Sequence, residues 1–240
     1  MRPVLLTRPA AQCAPLAAKC AAAGFRTRVF APLELVADTD ALAQLPALAA
    51  AADWLIPVSP GAIDIMWPVL AGHLPETVQL ACVGKGSAAH LAALAGRAVL
   101  HPEAGSDSEA LLALPPLFAL SGQTVLIVRG ETGRALLADT LAARGATILL
   151  CEAYRRVACD PGWDKLPADM AQATLLVTSS DIARALFASV PAARRDWLLR
   201  QQFVTLHPRI SEVLQSLGAS KIVTAANASD DALLAALAAC

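Results

Sequence analysis

Short apolar runs alternate along the chain with longer stretches in which Leu and Ala recur every three or four residues. The runs Val4–Leu6, Trp54–Val58, Leu80–Val83, Ala98–Leu100, Val125–Val128, Leu175–Thr178, Phe203–Leu206 and Ile222–Thr224 are apolar on consecutive positions. Such runs read as strands buried on both faces, as in parallel sheets. The segments between them read as helices with start and stop signals. Arg8-Pro9, Ser59-Pro60 and His207-Pro208 place Pro where a first helical residue belongs, because its missing N–H costs nothing there. Ser106-Asp107-Ser108-Glu109 has the form of a capping box, and Ser229-Asp230-Asp231 that of an N-cap followed by acids. Gly24, Gly96, Gly145 and Gly218 stand where helices should end. Strand and helix in regular alternation predict an α/β protein with parallel sheets, of flavodoxin-like type.

The pattern repeats. VLLTRPAAQCAPLAAKCAAAGF, from Val4, aligns without gaps on VLIVRGETGRALLADTLAARGA, from Val125, and matches at Arg8/Arg129, Leu16/Leu137 and Gly24/Gly145. The register continues through Ser59/Ser179, Gly96/Gly218 and Glu109/Asp231. Four segments in one order at nearly constant spacing make the chain a duplication of a unit of about 120 residues.

Composition narrows the function. The 240 residues are 56% hydrophobic and 16% charged, with a net charge of −1, so a sizeable core is available. A nucleic-acid binder would need clustered Lys and Arg, and no such run exists. No stretch approaches the length of a membrane span. Arg8-Pro9 and Lys19 interrupt the N-terminal apolar stretch, so no export signal and a cytoplasmic location are expected. The six cysteines form no CxxC and are expected to be reduced thiols. Neither half holds GxGxxG or GxxxxGK[ST], which argues against a nucleotide cofactor. A GxSxG elbow is also missing.

In open α/β sheets ligands bind beyond the carboxyl ends of the strands, where helix N-termini point. The residues expected there are Thr7-Arg8, Ser59-Pro60-Gly61, Gly84-Lys85-Gly86-Ser87, Arg129-Gly130-Glu131-Thr132, Thr178-Ser179-Ser180 and His207-Pro208-Arg209. They are small, hydroxylated or basic, and suit an anionic ligand held by backbone amides. Arg8, Arg129, Arg134, Lys85 and Arg209 are candidate anion contacts, and solvated or capping roles are the plain alternative for each. Ser59, Ser87 and Ser179 are candidate hydroxyl donors, with N-capping as the plain alternative. Tyr154, the sole tyrosine, lies in the extended stretch LLCEAYRRVAC, and its repeat partner is Leu33. It breaks the symmetry between the halves. The alternative there is an amphipathic aromatic on a half-buried strand. Of Arg155 and Arg156, at most one can face a ligand, since neighbours on a strand point to opposite sides.

The runs VLLTRP, ADWLIPVSPGAI, CVGKGSAAHLAALAG, SDSEALLAL, VLIVRGETGR with EAYRR, LLVTSSDIARAL and FVTLHPRISEVL, in that order, resemble the bacterial uroporphyrinogen-III synthase family from end to end. Pro60-Gly61 and Ser87 depart mildly from its pattern. The resemblance implies two flavodoxin-like domains joined by a two-stranded antiparallel linker. One domain would comprise residues 1–33 and 160–240 and the other 37–150, with linker strands near 30–37 and 150–159. It implies a cofactor-free lyase that closes linear hydroxymethylbilane to uroporphyrinogen III, inverting the last pyrrole ring and losing water. Tyr154 would assist the departing hydroxyl from the margin of a cleft. The arginines, Lys85 and the serines above would meet substrate carboxylates. A monomer, fed by the deaminase that makes the bilane, is implied as well. The alternative is a two-domain cytoplasmic ligand-binding protein of the periplasmic-binding type for an anionic small molecule. A glycosyltransferase would need a longer chain and a nucleotide-sugar site.

Overall fold

The structure, a computed structural model, describes residues 3–133, 135–167 and 172–240. In chain order the first elements are β1 (Val4–Leu6), α1 (Ala14–Ala22), β2 (Thr27–Val29), β3 (Leu33–Ala37) and α2 (Thr39–Ala50). There follow β4 (Trp54–Pro57), α3 (Pro60–Leu70), β5 (Gln79–Leu80), α4 (Lys85–Ala95) and α5 (Ser108–Leu112). After these come β6 (Thr124–Gly130), α6 (Leu136–Ala143), β7 (Thr147–Ala158), β8 (Thr174–Val177) and α7 (Ser180–Ser189). The last are α8 (Ala192–Leu199), β9 (Gln202–Thr205), α9 (Pro208–Ser216), β10 (Ile222–Thr224) and α10 (Asp230–Ala238).

The chain divides into two compact units, one formed by Met1–Glu34 with Val157–Cys240 and the other by Leu35–Arg156. In the first, the sheet order is β10-β9-β8-β1-β2, with every pair parallel. β1 therefore pairs with β8, Val4 opposite Thr174, rather than with β4, the repeat equivalent of β8 in its own half. Side chains alternate across this sheet as a two-residue period requires. Leu5, Leu175 and Val177 face a cluster with Phe30, Trp163, Phe187 and Phe203. Val4, Leu6 and Leu176 face α1 and α10 through Leu16, Cys20, Leu233 and Leu237. Trp163 packs edge-on to Phe30, with ring centroids 4.8 Å apart.

In the second unit the sheet order is β3-β7-β6-β4-β5, and a single parallel bridge from Ala81 to Leu100 extends it. β4 pairs with β6, Trp54 opposite Val125, and β6 with β7, Thr124 opposite Thr147. Leu55, Leu126 and Val128 face α2, α3 and α4, and Trp54, Ile56, Val125 and Ile127 face α5 and α6. β4 and β8 are buried throughout, which is why their sequences run apolar without alternation.

Most predicted signals hold. Ser59, Ser179 and Ser229 cap α3, α7 and α10 by accepting the N–H three residues on. Gly24, Gly96, Gly145 and Gly218 all have positive φ at helix ends, the conformation that a Cβ disfavours. Three expectations need correction. Arg8-Pro9 does not open a helix: Pro9 precedes a 3-10 turn, Ala10–Gln12, and α1 starts at Ala14 with Pro15 in its first turn. The cap of α5 is Asp107, whose carboxylate accepts the Ala110 N–H, while Ser106 turns to the Gly105 carbonyl. The strands expected at Leu80–Val83 and Ala98–Leu100 shrink to Gln79–Leu80 and one bridge, because Val83 and Gly84 already turn into α4.

Candidate functional site

In the second unit a strand irregularity brings a set of polar side chains together. Along β6 and β7 the register runs evenly to Arg129 opposite Glu152, then shifts so that Gly130 stands opposite Tyr154. Ala153 is the extra residue, and a bulge of this kind re-aims the side chain that follows. Cys151, Ala153 and Tyr154 consequently belong to one core cluster, although 153 and 154 are consecutive. The Ala153 carbonyl is not lost, since it accepts the Asp38 N–H at 2.9 Å. The aromatic expected on a half-buried strand at a cleft margin is thus buried in this structure, at 1% exposure.

Room for the ring comes from Gly130. A Cβ there would lie 2.8 Å from Tyr154 Cε2. The phenol oxygen stands 3.0 Å from Ser59 Oγ and accepts from Arg156 Nη2 at 3.3 Å. Ser59 sits just past β4, and its Oγ also accepts the Ala62 N–H at 3.1 Å in the first turn of α3. Nη1 of Arg156 donates to the Thr132 carbonyl at 3.4 Å.

Arg129 leaves the same strand end. Its Nη2 donates to Glu152 at 2.8 Å, across the last even rung before the bulge. Its Nε is buried with no hydrogen-bond partner. Arg129 and Ser108 give polar edges to a pocket otherwise lined by Val58, Ile127, Gly133, Leu137 and Ala138. A Cβ on Gly133 would come within 3.1 Å of Arg129 Cδ, so the tight turn there is shaped around the arginine. At α4, Lys85 is exposed in the first turn and Ser87 is 8% exposed. Gly84 gives α4 no side-chain cap, so its first N–H groups receive no hydrogen bond from the N-cap residue.

The first unit has its own set. Arg8 donates from Nη2 to Asp230 at 2.7 Å, at the start of α10. Ser179 caps α7 through the Ile182 N–H at 3.2 Å. Arg209 is exposed at the start of α9, where its N–H is accepted by His207 Nδ1 at 3.1 Å. Arg134 lies outside the described residues. Repeat-equivalent Arg8 and Arg129 therefore each meet a carboxylate of their own unit, an arrangement that leaves neither as a bare cation. Among the described residues no cluster of three metal-ligating side chains occurs. No helix among them is long and apolar enough to cross a membrane.

The chain matches the family model described as uroporphyrinogen-III synthase HemD over residues 14–235. The uroporphyrinogen-III synthase of Salmonella typhimurium is 32% identical over 98% of this chain and 99% of its own. That of Escherichia coli is 34% identical over 72% of this chain and 70% of its own. The chain belongs to the uroporphyrinogen-III synthase family. Its α/β fold is also similar to solved members of that name, at 14% to 16% identity. The Helicobacter pylori structure has a TM-score of 0.63 over 100% of this chain and 99% of its own. A Thermus thermophilus mutant has 0.61 over 100% and 98%. Nothing in these matches supports the ligand-binding alternative.

For a family member, the informative residues include Glu152, which sequence patterning did not select, and Gly130 and Arg156, which it placed near a ligand without a role. Gly130, Glu152 and Arg156 complete the surroundings of Tyr154 and Arg129. The EAYRR run contained two of them, but the bulge that sets their directions has no signature in residue type. The opposite-face rule for strands indicated only that at most one of Arg155 and Arg156 faces a ligand.

Proposed function

We propose that this chain is a uroporphyrinogen-III synthase, a cyclising lyase that converts hydroxymethylbilane to uroporphyrinogen III with inversion of the last pyrrole ring and loss of water. Family membership over nearly the whole chain is the observation that carries the reading. In the reaction as we read it, Tyr154 donates its phenol proton to the departing hydroxyl, which leaves as water. The bilane retains a delocalised cation, ring closure consumes it, and the proton then lost restores the phenol. Positioned proton donors of this kind contribute about 10²–10⁴ in rate. The protein's larger task is to fold a flexible chain so that the correct ends meet.

The substrate carries eight carboxylates. Arg8, Arg129, Arg134, Lys85 and Arg209 are our assigned contacts for them, with Ser59, Ser87 and Ser179 as hydroxyl donors. The uncapped start of α4 suits an anion in the same way. Local carboxylates on Arg8 and Arg129 keep the net charge near zero, so the polyanion exchanges for acids already in place.

The finer architecture belongs to the same reading: two flavodoxin-like domains, 1–33 with 160–240 and 37–150, joined by an antiparallel linker. In support, counting β1, β2, β8, β9 and β10 in order, the first sheet runs 2-1-3-4-5, the doubly wound order of flavodoxin. The bonds from Cys159 N–H to the Pro32 carbonyl and from Asp38 N–H to the Ala153 carbonyl have the opposed numbering of an antiparallel pair. A cytoplasmic monomer that needs no cofactor and receives its substrate from the deaminase fits this chemistry.

The test couples purified protein to a deaminase that generates the bilane and measures the ratio of type III to type I product. Spontaneous closure gives type I. An excess of type III is expected, and its absence refutes the assignment.

A further inference from the structure

Arg156 stands two residues beyond Tyr154 on β7, exposed itself but with its guanidinium carbon 5.4 Å from the centroid of the buried ring. A guanidinium has donors and no acceptor. The Tyr154 oxygen is therefore the acceptor of the 3.3 Å bond from Nη2. The phenol that accepts from Arg156 still carries its own proton, and in the 3.0 Å contact with Ser59 either hydroxyl can donate, so that proton is available to a substrate oxygen. Ser59 is fixed in turn by the Ala62 N–H, and Nη1 of Arg156 by the Thr132 carbonyl. Both ends of this short chain of bonds are anchored to backbone, so the position of the phenol oxygen is set by the fold.

We propose that Arg156 is a positioning residue for Tyr154, orienting the phenol O–H and stabilising the oxygen as its proton leaves. This rests on the reading of Tyr154 as the proton donor. As the Tyr154 O–H bond breaks, a new O–H bond forms on the leaving hydroxyl and its bond to carbon breaks. The negative charge left on the phenol oxygen then faces the guanidinium of Arg156 and the hydroxyl of Ser59. Return of a proton after ring closure resets the group.

The test compares Arg156→Gln, Arg156→Lys, Tyr154→Phe and the Arg156→Gln/Tyr154→Phe double variant, with circular dichroism to verify folding. Steady-state kinetics of type III formation are measured with deaminase-generated bilane. Loss of a hydrogen bond to a charged group predicts that Arg156→Gln lowers kcat about 10- to 100-fold. KM should move by less than about threefold, because the interaction is made through Tyr154 and not with substrate carboxylates. Arg156→Lys, which keeps a charged donor, should recover most of the rate. In the Tyr154→Phe background Arg156→Gln should add nothing, since the group it serves is gone. A raised KM with kcat intact overturns the proposal and makes Arg156 a carboxylate contact. Multiplying losses in the double variant also overturn it. A fully active Tyr154→Phe enzyme defeats the reading of Tyr154 and the proposal with it. A slow Tyr154→Phe with wild-type kcat in Arg156→Gln defeats the proposal alone.

Discussion

Ser59 Oγ and the Tyr154 phenol oxygen are 3.0 Å apart although 95 residues separate them in sequence. The contact marks where the two repeats part chemically. Ser59 and its repeat partner Ser179 do the same local work, each accepting an N–H in the first turn of the helix it caps. The position equivalent to Tyr154 is Leu33, a buried aliphatic with no hydroxyl to offer. One serine therefore serves a helix alone, and the other serves a helix and a phenol.

The pair gives an internal control. Ser59→Ala and Ser179→Ala should each lose about 1 kcal/mol of stability for the N-cap, and Ser59→Ala about 1 kcal/mol more for the bond to the buried phenol. Urea denaturation checks that difference. Type III formation should slow in Ser59→Ala through the unsupported phenol, by about 5- to 10-fold for one neutral hydrogen bond. Ser179→Ala should change turnover less. Equal kinetic losses in the two variants would count against the Tyr154 site.

Gly130→Ala tests the bulge. Its Cβ would stand 2.8 Å from Tyr154 Cε2 and 3.0 Å from Cζ, so the ring must shift. Overpacking of this kind costs about 1–3 kcal/mol. The expected outcome is a folded protein with lowered kcat, and a lower melting temperature checks the strain. Wild-type kcat would show that the ring position is not critical.

Arg129 and Glu152 should move substrate binding in opposite directions. Glu152→Gln removes the carboxylate that occupies Nη2 at 2.8 Å, freeing the guanidinium for a substrate carboxylate. KM is expected to fall about two- to fivefold. Arg129→Met removes the cation and should raise KM about tenfold or more, the scale of one charge-assisted hydrogen bond. Steady-state kinetics distinguish these from changes in kcat.

The buried thiols set an alkaline limit. Burial pushes the Cys82 thiol from its ordinary 9.0 up to about 12 and Cys151 up to about 11. The folded protein thus keeps these protons where the unfolded chain has released them. Stability should be unaffected by these groups below about pH 9 and decline as pH rises toward their folded values. The limiting slope is about 1.4 kcal/mol per pH unit for each group. Urea midpoints from pH 8 to 10.5 check this. Thiol labelling at pH 8 should reach exposed Cys240 first and Cys82 and Cys151 only on unfolding.

Local chemistry was legible in the chain because it depends on neighbours in sequence. Val4–Leu6, Trp54–Val58 and Leu175–Thr178 read as strands buried on both faces because they run apolar without alternation, and the observed strands Val4–Leu6, Trp54–Pro57 and Thr174–Val177 are buried throughout. Ser59 and His207 before prolines, and Gly145 and Gly218 after Leu-rich turns, had to bound helices. Pro9 misled because a 3-10 turn accepts proline at its boundary as readily as an α-helix does, and Pro15, six residues on, sits in the first turn of the true helix. At Asp107 two adjacent cap formers competed, and only packing chose between them.

What the sequence by itself determined is the repeating alternation of strand and helix, the helix ends, and the gathering of hydroxyl and basic residues after the strands. All of these follow from periodicity and backbone preference within a few residues. Tertiary structure decided which repeats share a sheet, since parallel pairing of Val4 with Thr174 leaves no mark on either segment. It also decided the site. One unpaired residue at Ala153 turns Tyr154 toward Gly130, Ser59 and Arg156, and a bulge exists only between two paired strands.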